Sequence, residues 1–288
     1  MVINMYRILK NINLTDSIYL LEVLAPLVVA NAMPGEFVIV MTHEDSERIP
    51  LTIVDYNKDT GVLTLVYQVV GESTLELSYE KDELFSVVGP LGNKALILDN
   101  LDKEKILFVG GGVGIAPIIP QVRYLFNEGI KADCIYGTKT KDSVILESEL
   151  VSLVDNLFIM TDDGSYGEKG FVTDKLDKIV DDYDIIVAIG PVIMMKYVSE
   201  IAVKHNKKII VSMNPIMIDG TGMCGACRLM IDGKVKFACV DGPEFYGEKI
   251  DFDAALNRMI IYKTEEGRRY LKMIEGDTHE GGCGHEKN

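Results

Sequence analysis

Residues 105–129 read KILFVGGGVGIAPIIPQVRYLFNEG. The apolar, β-prone run before the glycines has the length of a buried strand. IAPIIPQVRYLFNEG then reads as a helix ended by Gly129. The same alternation continues downstream. KADCIYGT, NLFIMTDDG, DIIVAIGP and KIIVSMN read as strands, and DSVILESELVSLV, FVTDKLDKIVDDY and VIMMKYVSEIAVKHN as helices. Strands alternating with helices predict a parallel sheet with crossover helices over residues 99–212.

Upstream, residues 1–98 have a different rhythm. SIYLLEVLAP, EFVIVMTH, IPLTIVDYNKDTGVLTLVYQVVG and ELFSVVGPLG are short runs rich in Val, Ile, Leu, Thr and Tyr, separated by turn signals. Such spacing predicts a small antiparallel β barrel, with one short helical turn at LELSYEKDEL. Downstream, residues 213–250 are glycine-rich and carry a cysteine cluster. Residues 251–288 read as a helix followed by a flexible tail ending HEGGCGHEKN. The expected fold is therefore a β barrel plus an α/β domain plus a small third domain. There is no internal repeat.

The bulk numbers narrow the function classes. A chain of 288 residues has room for two or three domains. Its net charge of −15 argues against a nucleic-acid partner and against anionic membrane surfaces. The most apolar stretch, Ile106 to Pro120, is too short to span a bilayer, and MVINMYRILKNINL lacks the apolar core of a signal peptide. A cytoplasmic location is expected. The five cysteines are an odd number, which argues against a disulfide framework.

Three of them lie in MIDGTGMCGACRLMIDGKVKFAC, residues 217–239. Cys224 and Cys227 form C-x2-C, and Cys239 follows after eleven residues. Gly220, Gly222 and Gly225 let the backbone wrap closely and aim amides at sulfur. Plant-type [2Fe–2S] sites use C-x4-C-x2-C and a more distant Cys. Counted back from Cys224, the first ligand position holds Asp219. The spacing thus predicts a [2Fe–2S] cluster on Asp219, Cys224, Cys227 and Cys239. A structural zinc on the same donors is the competing reading, three metal-free buried cysteines the plainest, and Cys134 and Cys283 are alternative donors.

Two further segments point to nucleotides. Gly110, Gly112 and Gly114 suit a phosphate-approaching turn at a helix start, or simply close packing of helix on strand. AIGPVIMM, residues 188–195, ends a second strand with Gly-Pro, and ligands of open α/β sheets bind at strand carboxyl ends. In the barrel, RIPLTI (48–53) and YQVVGEST (67–74) have the polar residues to hold a flavin and its pyrophosphate, and also read as ordinary strand and turn chemistry.

The order of barrel, nucleotide domain and cysteine cluster resembles the ferredoxin–NADP reductase superfamily. VVGEST, VGGGVGIAP and TDDGSYGEKGFVTD are similar to the electron-transfer subunits of dihydroorotate dehydrogenase B. Asp219 with GTGMCGACR more closely resembles the small subunits of NADH-dependent reduced ferredoxin:NADP oxidoreductases, which are electron-bifurcating transhydrogenases. The resemblance implies FAD on Pro50, Leu51, Thr52, Ile53, Tyr67, Gln68, Val69, Gly71, Ser73 and Thr74. It implies NAD(H) around Gly111, Gly112, Val113, Gly114, Thr138, Asp163, Gly190 and Pro191. Two positions depart from the superfamily pattern: Ile49 stands where an arginine is usual, with Arg48 one place off, and Ile189 stands where a cysteine precedes Gly-Pro.

The same resemblance implies a larger partner subunit bearing flavin and iron–sulfur centres, with ferredoxin engaged only indirectly. No catalytic acid or base from this chain is needed, because flavin itself converts a two-electron hydride into single electrons. Three rivals remain at this point: a dihydroorotate dehydrogenase B subunit, a free-standing flavin or ferredoxin reductase, and a zinc-stabilised nucleotide-binding regulator.

Overall fold

The computed structural model describes residues 6–99 and 104–275; the HEGGCGHEKN tail, Cys283 included, lies outside them. The first sheet has seven antiparallel strands: β1 (Tyr6–Asn13), β2 (Ile18–Leu24), β3 (Phe37–Met41), β4 (Ile49–Asn57), β5 (Val62–Gln68), β6 (Glu83–Leu84) and β7 (Ser86–Leu91). Their order is β6-β1-β2-β5-β4-β3-β7, a nearly closed barrel as the alternation predicts. Leu21, Val38, Ile53, Leu63 and Leu65 fill its core. Two helices interrupt the strands, α1 (Pro26–Val29) and α2 (Glu72–Tyr79). The expected short turn at LELSYEKDEL is thus the end of a longer helix that begins at Glu72. Its start is fixed by Thr74, whose Oγ1 accepts hydrogen bonds from the N–H groups of Val70 (2.9 Å) and Gly71 (3.2 Å).

The second sheet contains the parallel strands β8 (Ile106–Gly111), β9 (Ala132–Thr138), β10 (Leu157–Thr161), β11 (Glu168–Lys169), β12 (Ile185–Ile189) and β13 (Lys208–Ser212). They are covered by α3 (Ile118–Asn127), α4 (Glu147–Val151), α5 (Val172–Ile179) and α6 (Val192–Lys204). β8, β12 and β13 are buried on both faces, which explains their unbroken apolar runs. The helix expected over DSVILESELVSLV is only α4, because Leu146 takes a left-handed conformation (φ 55°) and breaks the run. Gly129 ends α3 as read, with φ +74°.

After β13 the chain leaves the sheet, forms the hairpin β14 (Arg228–Ile231) and β15 (Lys234–Phe237), and makes the single turn α7 (Ala238–Asp241). It then returns as β16 (Glu244–Tyr246), which pairs antiparallel with β13 and extends the sheet to the order β11-β10-β9-β8-β12-β13-β16. The single helix expected from Asp251 is two, α8 (Phe252–Met259) and α9 (Lys263–Glu275). Asp251 caps the first by accepting from the Ala254 N–H at 2.9 Å. No helix of the described residues is long and apolar enough to cross a membrane.

Candidate functional site

The cysteine loop folds around left-handed glycines. Gly220, Gly222 and Gly225 have φ of +75°, +86° and +66°, conformations that strain any L side chain. Within this wrap, Asp219 Oδ1 accepts from the Thr221 N–H at 2.8 Å, and Oδ2 accepts from the Cys224 N–H at 2.7 Å. Those amides, Thr221 first, hold the Asp219 carboxyl below its ordinary range. The Ala226 N–H points at Cys224 Sγ, 3.4 Å away. The β14–β15 hairpin then turns through Asp232 and Gly233, both left-handed, and brings Cys239 back to Cys227. Their Sγ atoms lie 3.2 Å apart, both residues are buried, and desolvation followed by the neighbouring thiol raises the pKa of Cys239.

The expected donors therefore form two pairs, an outer Asp219–Cys224 and an inner Cys227–Cys239. Among the described residues, no three His, Cys, Asp or Glu side chains converge as a single metal ion requires. A two-iron cluster takes two protein ligands per iron, so the paired donors and the glycine wrap fit it better than they fit zinc. Cys134 is not a competing donor, since it is buried in the middle of β9 between β8 and β10.

Four strand ends of the second sheet meet along its carboxyl edge. Gly111 closes β8, and Gly112 to Ile115 form a 3₁₀ turn that leads into α3. Gly190 and Pro191 follow β12, which lies beside β8 with Ile189 opposite Gly110. Thr138 ends β9, and Asp163 follows β10. The glycines divide into two kinds. A Cβ on Gly114 would sit 2.5 Å from Ile189 O and 2.7 Å from Gly190 Cα, so this glycine serves close packing. A Cβ on Gly112 would meet nothing within 4 Å, which leaves that peptide open to a ligand. Thr138 is buried, whereas Asp163 is exposed and accepts from the Ser165 hydroxyl (2.6 Å) and N–H (2.9 Å).

The expected flavin residues occupy adjacent strands and the helix that follows them. On β4, Leu51 and Ile53 point into the barrel core, while Pro50 and Thr52 are half-buried on the other face. On β5, Tyr67 is buried, stacks on Tyr19 and donates its hydroxyl to Asn11 at 3.1 Å, so only its backbone faces a ligand; Gln68 is exposed and Val69 half-buried. Gly71 has open space around its Cα, and Ser73 and Thr74 lie in the first turn of α2, whose N–H groups suit a phosphate. At present the Glu47 carboxylate accepts from the Ser73 hydroxyl. Ile49, at the superfamily's arginine position, is buried, and Arg48 is exposed. Half-buried Pro50 and Thr52, open space at Gly71 and a helix start at Glu72 are compatible with a bound FAD.

These three regions adjoin. β5 touches the glycine-rich turn, and Val54 and Val66 share a core with Ile115 and Ala116. The cluster loop rests on the barrel: a Cβ on Gly220 would meet Ile39 at 2.9 Å and Leu91 at 3.0 Å. Ile39 is the register partner of Pro50 on β4. The loop therefore packs on the outer face of β3, the strand paired with the one expected to hold the flavin. Asn93 ties the barrel's exit to the cluster segment, donating its N–H to Gly242 O (2.7 Å) and its amide to Val240 O (3.1 Å). Asn93, Gln121 and Glu244, which stitch these parts together, are absent from the sequence reading. The only hint of them is a lone acid in the aromatic strand GPEFY.

Known proteins share this arrangement. Residues 108–200 match the oxidoreductase NAD-binding domain, and residues 214–251 match the iron–sulfur cluster binding domain of dihydroorotate dehydrogenase B. A Thermotoga maritima homolog of the dihydroorotate dehydrogenase B (NAD(+)) electron transfer subunit is 43% identical, covering 93% of this chain and 95% of its own. The Streptococcus mutans electron transfer subunit is 34% identical over 78% of this chain and 89% of its own. A structure described as giving insight into flavin-based electron bifurcation, that of the NADH-dependent reduced ferredoxin–NADP oxidoreductase, superposes with a TM-score of 0.84. It is 41% identical and covers 93% of this chain and 98% of its own. Ferredoxin–NADP+ reductase of Plasmodium falciparum, 18% identical with a TM-score of 0.56, shares the fold. With a nucleotide edge, a flavin-type barrel and paired cluster donors in one body, the chain belongs to the family of dihydroorotate dehydrogenase B-type electron transfer subunits, oxidoreductases that work with NAD, FAD and a [2Fe–2S] cluster.

Proposed function

We propose that this chain is the NAD(H) arm of a flavin-based electron-bifurcating NADH/ferredoxin:NADP transhydrogenase. In this reading it passes electrons between NAD(H) and a larger partner subunit that carries a second flavin and further iron–sulfur centres. The observation that carries the reading is the outer donor pair: a carboxylate, Asp219, beside Cys224, where dihydroorotate-type subunits use cysteine. FAD, when bound, supplies the change from hydride to single electrons. The protein's share is placement. Gly112 leaves room for the dinucleotide, Gly114 lets the turn pack on Ile189, Ser73 and Thr74 offer N–H groups to the flavin pyrophosphate, and Pro50 to Ile53 and Tyr67 to Val69 line the ring. Asp219, Cys224, Cys227 and Cys239 would hold the cluster on the barrel's outer face. The segment running out of β9, YGTKTKDS, has Lys139 and Lys141 but no arginine for the extra phosphate of NADP, which favours NAD.

The test is anaerobic purification of the chain with a visible spectrum, reduced-state EPR, and counts of iron and acid-labile sulfide. Flavin bands, two irons, two sulfides and an S = 1/2 signal on NADH addition support the proposal. Zinc without sulfide, or a colourless protein, refutes it. Co-purification then separates the partners: a large subunit that oxidises dihydroorotate would replace the transhydrogenase assignment.

A further inference from the structure

An ionisable group that the proposed electron route does not use lies where three parts of the chain meet. Glu244 opens β16 and is only 4% exposed. Its Oε2 accepts from the Leu96 N–H at 2.8 Å, and its Oε1 accepts from the Gln121 side-chain amide at 2.7 Å. Leu96 lies on the linker leaving the barrel, Gln121 on α3, and Glu244 on the strand that closes the cluster segment. Both of these partners are neutral. The charged side chains of the surrounding elements are engaged elsewhere: Arg123 of α3 with Asp55 and Glu149, Lys94 with Asp99, and Lys208 of β13 with Glu104. A carboxylate so placed loses its water and gains no counter-charge among the described residues. Burial accordingly raises its pKa to about 7, against the pull of the Leu96 and Gln121 donors.

The cage around Glu244 suits both of its protonation states. Gln121 is fully buried, and its Oε1 has no hydrogen-bond partner among the described residues. As placed, the amide donates to a carboxylate. Rotated by half a turn, it offers the orphaned oxygen to the O–H of a carboxylic acid. The expected ligand Cys239 lies five residues upstream, so their Cα atoms are at most about 18 Å apart. The intervening helical turn α7 shortens that distance. Cys239 and Glu244 are both buried, so the charge of an electron on a cluster held by Cys239 is only weakly screened at Glu244.

We propose that Glu244 is the proton-coupling group of this chain: it takes up a proton when an electron reaches the cluster and releases it when the electron leaves. The inference rests on the electron-transfer reading above. One electron, supplied by NADH through the flavin, adds one negative charge at the cluster. One proton, drawn from water, converts the Glu244 carboxylate to the acid. On reoxidation the electron passes to the partner and the proton returns to water, and no bond to the cluster is made or broken.

The test is an EPR-monitored redox titration of the full chain, carrying FAD and cluster, between about pH 5.5 and 8.5. The cluster midpoint of the wild type should fall with rising pH, with a limiting slope of about 59 mV per pH unit for one proton per electron. Glu244→Gln should flatten that slope and remove a protonated-carboxyl band from the reduced-minus-oxidised infrared spectrum. Gln121→Leu keeps the carboxyl but withdraws its partner from both forms; the charged form loses the stronger bond, so the pH-dependent window should move upward. Equal slopes in wild type and Glu244→Gln, a carboxyl band that survives in Glu244→Gln, or an unmoved window in Gln121→Leu overturns the inference while leaving the electron-transfer reading intact. Absence of both flavin bands and the cluster signal overturns that reading and this inference together.

Discussion

Replacing Gly114 with alanine would place a methyl group 2.5 Å from Ile189 O, 2.7 Å from Gly190 Cα and 2.8 Å from Ile189 C. Ordinary contact begins near 3.4 Å, so the turn after β8 and the end of β12 must separate by several tenths of an ångström. All three obstructing atoms are backbone, and no flexible side chain can yield in their place. Overpacking of this kind costs about 3 kcal/mol, the upper end of the usual range. That corresponds to a fall in melting temperature of roughly 10 °C for a domain of this size. Gly112→Ala is the matched control. Its φ of +55° costs an L residue roughly 1–2 kcal/mol, but its Cβ enters open space. Near-ultraviolet circular dichroism on heating should therefore rank Gly114→Ala well below Gly112→Ala. Calorimetric titration with NADH should show the reverse emphasis, with Gly112→Ala losing about tenfold in affinity, or 1.4 kcal/mol, while still folded. A Gly114→Ala variant melting within a degree of wild type would refute the packing argument. Undiminished NADH binding by Gly112→Ala would refute its assignment to the ligand.

Asp219→Cys should keep a two-iron cluster but shift its midpoint potential, since thiolate is softer than carboxylate; an unchanged potential in a redox titration would remove Asp219 from the ligand set. Cys227→Ser and Cys239→Ser should each abolish the bound iron and sulfide, whereas Cys134→Ser, in the β9 core, should leave both counts intact. The raised pKa of Glu244 predicts a stability that falls as pH rises. Below pH 4.5 the group is protonated in the folded and unfolded states, and between 4.5 and about 7 only the unfolded state ionises. By pH 8 the folded state has lost about 3 kcal/mol, and Glu244→Gln should remove that part of the slope in urea titrations at several pH values.

Much of the architecture was legible because each layer has its own periodicity. The β–α alternation from Lys105 to Ser212 and the apolar strands of the barrel appear in the structure near the positions their patterns indicate. The failures are local and have local causes. The end of the helix at Leu146 depends on one left-handed residue in an otherwise helical run. The start of α2 depends on Thr74 capping Val70 and Gly71, a bond that no hydrophobic pattern announces. The cluster-binding segment was legible because ligand spacing is a property of the chain itself. Their grouping into pairs was not, since it depends on the β14–β15 hairpin returning Cys239 to Cys227. Glu244 and Gln121 were invisible for the same reason: they are 123 positions apart, and only the antiparallel return of β16 brings them together.

That return has a topological consequence. Ser212 and Glu244 are register partners, so the cluster segment between them starts and finishes at neighbouring points on one sheet edge. Their Cα atoms are about 5 Å apart, the spacing of any antiparallel pair. A segment with adjoining roots behaves as a cassette. Losing its irons should disorder the cassette without opening the parallel sheet, so a cluster-free chain should still bind NADH. For the same reason, an electron outlet of different potential could be exchanged at these two roots without rebuilding the nucleotide domain.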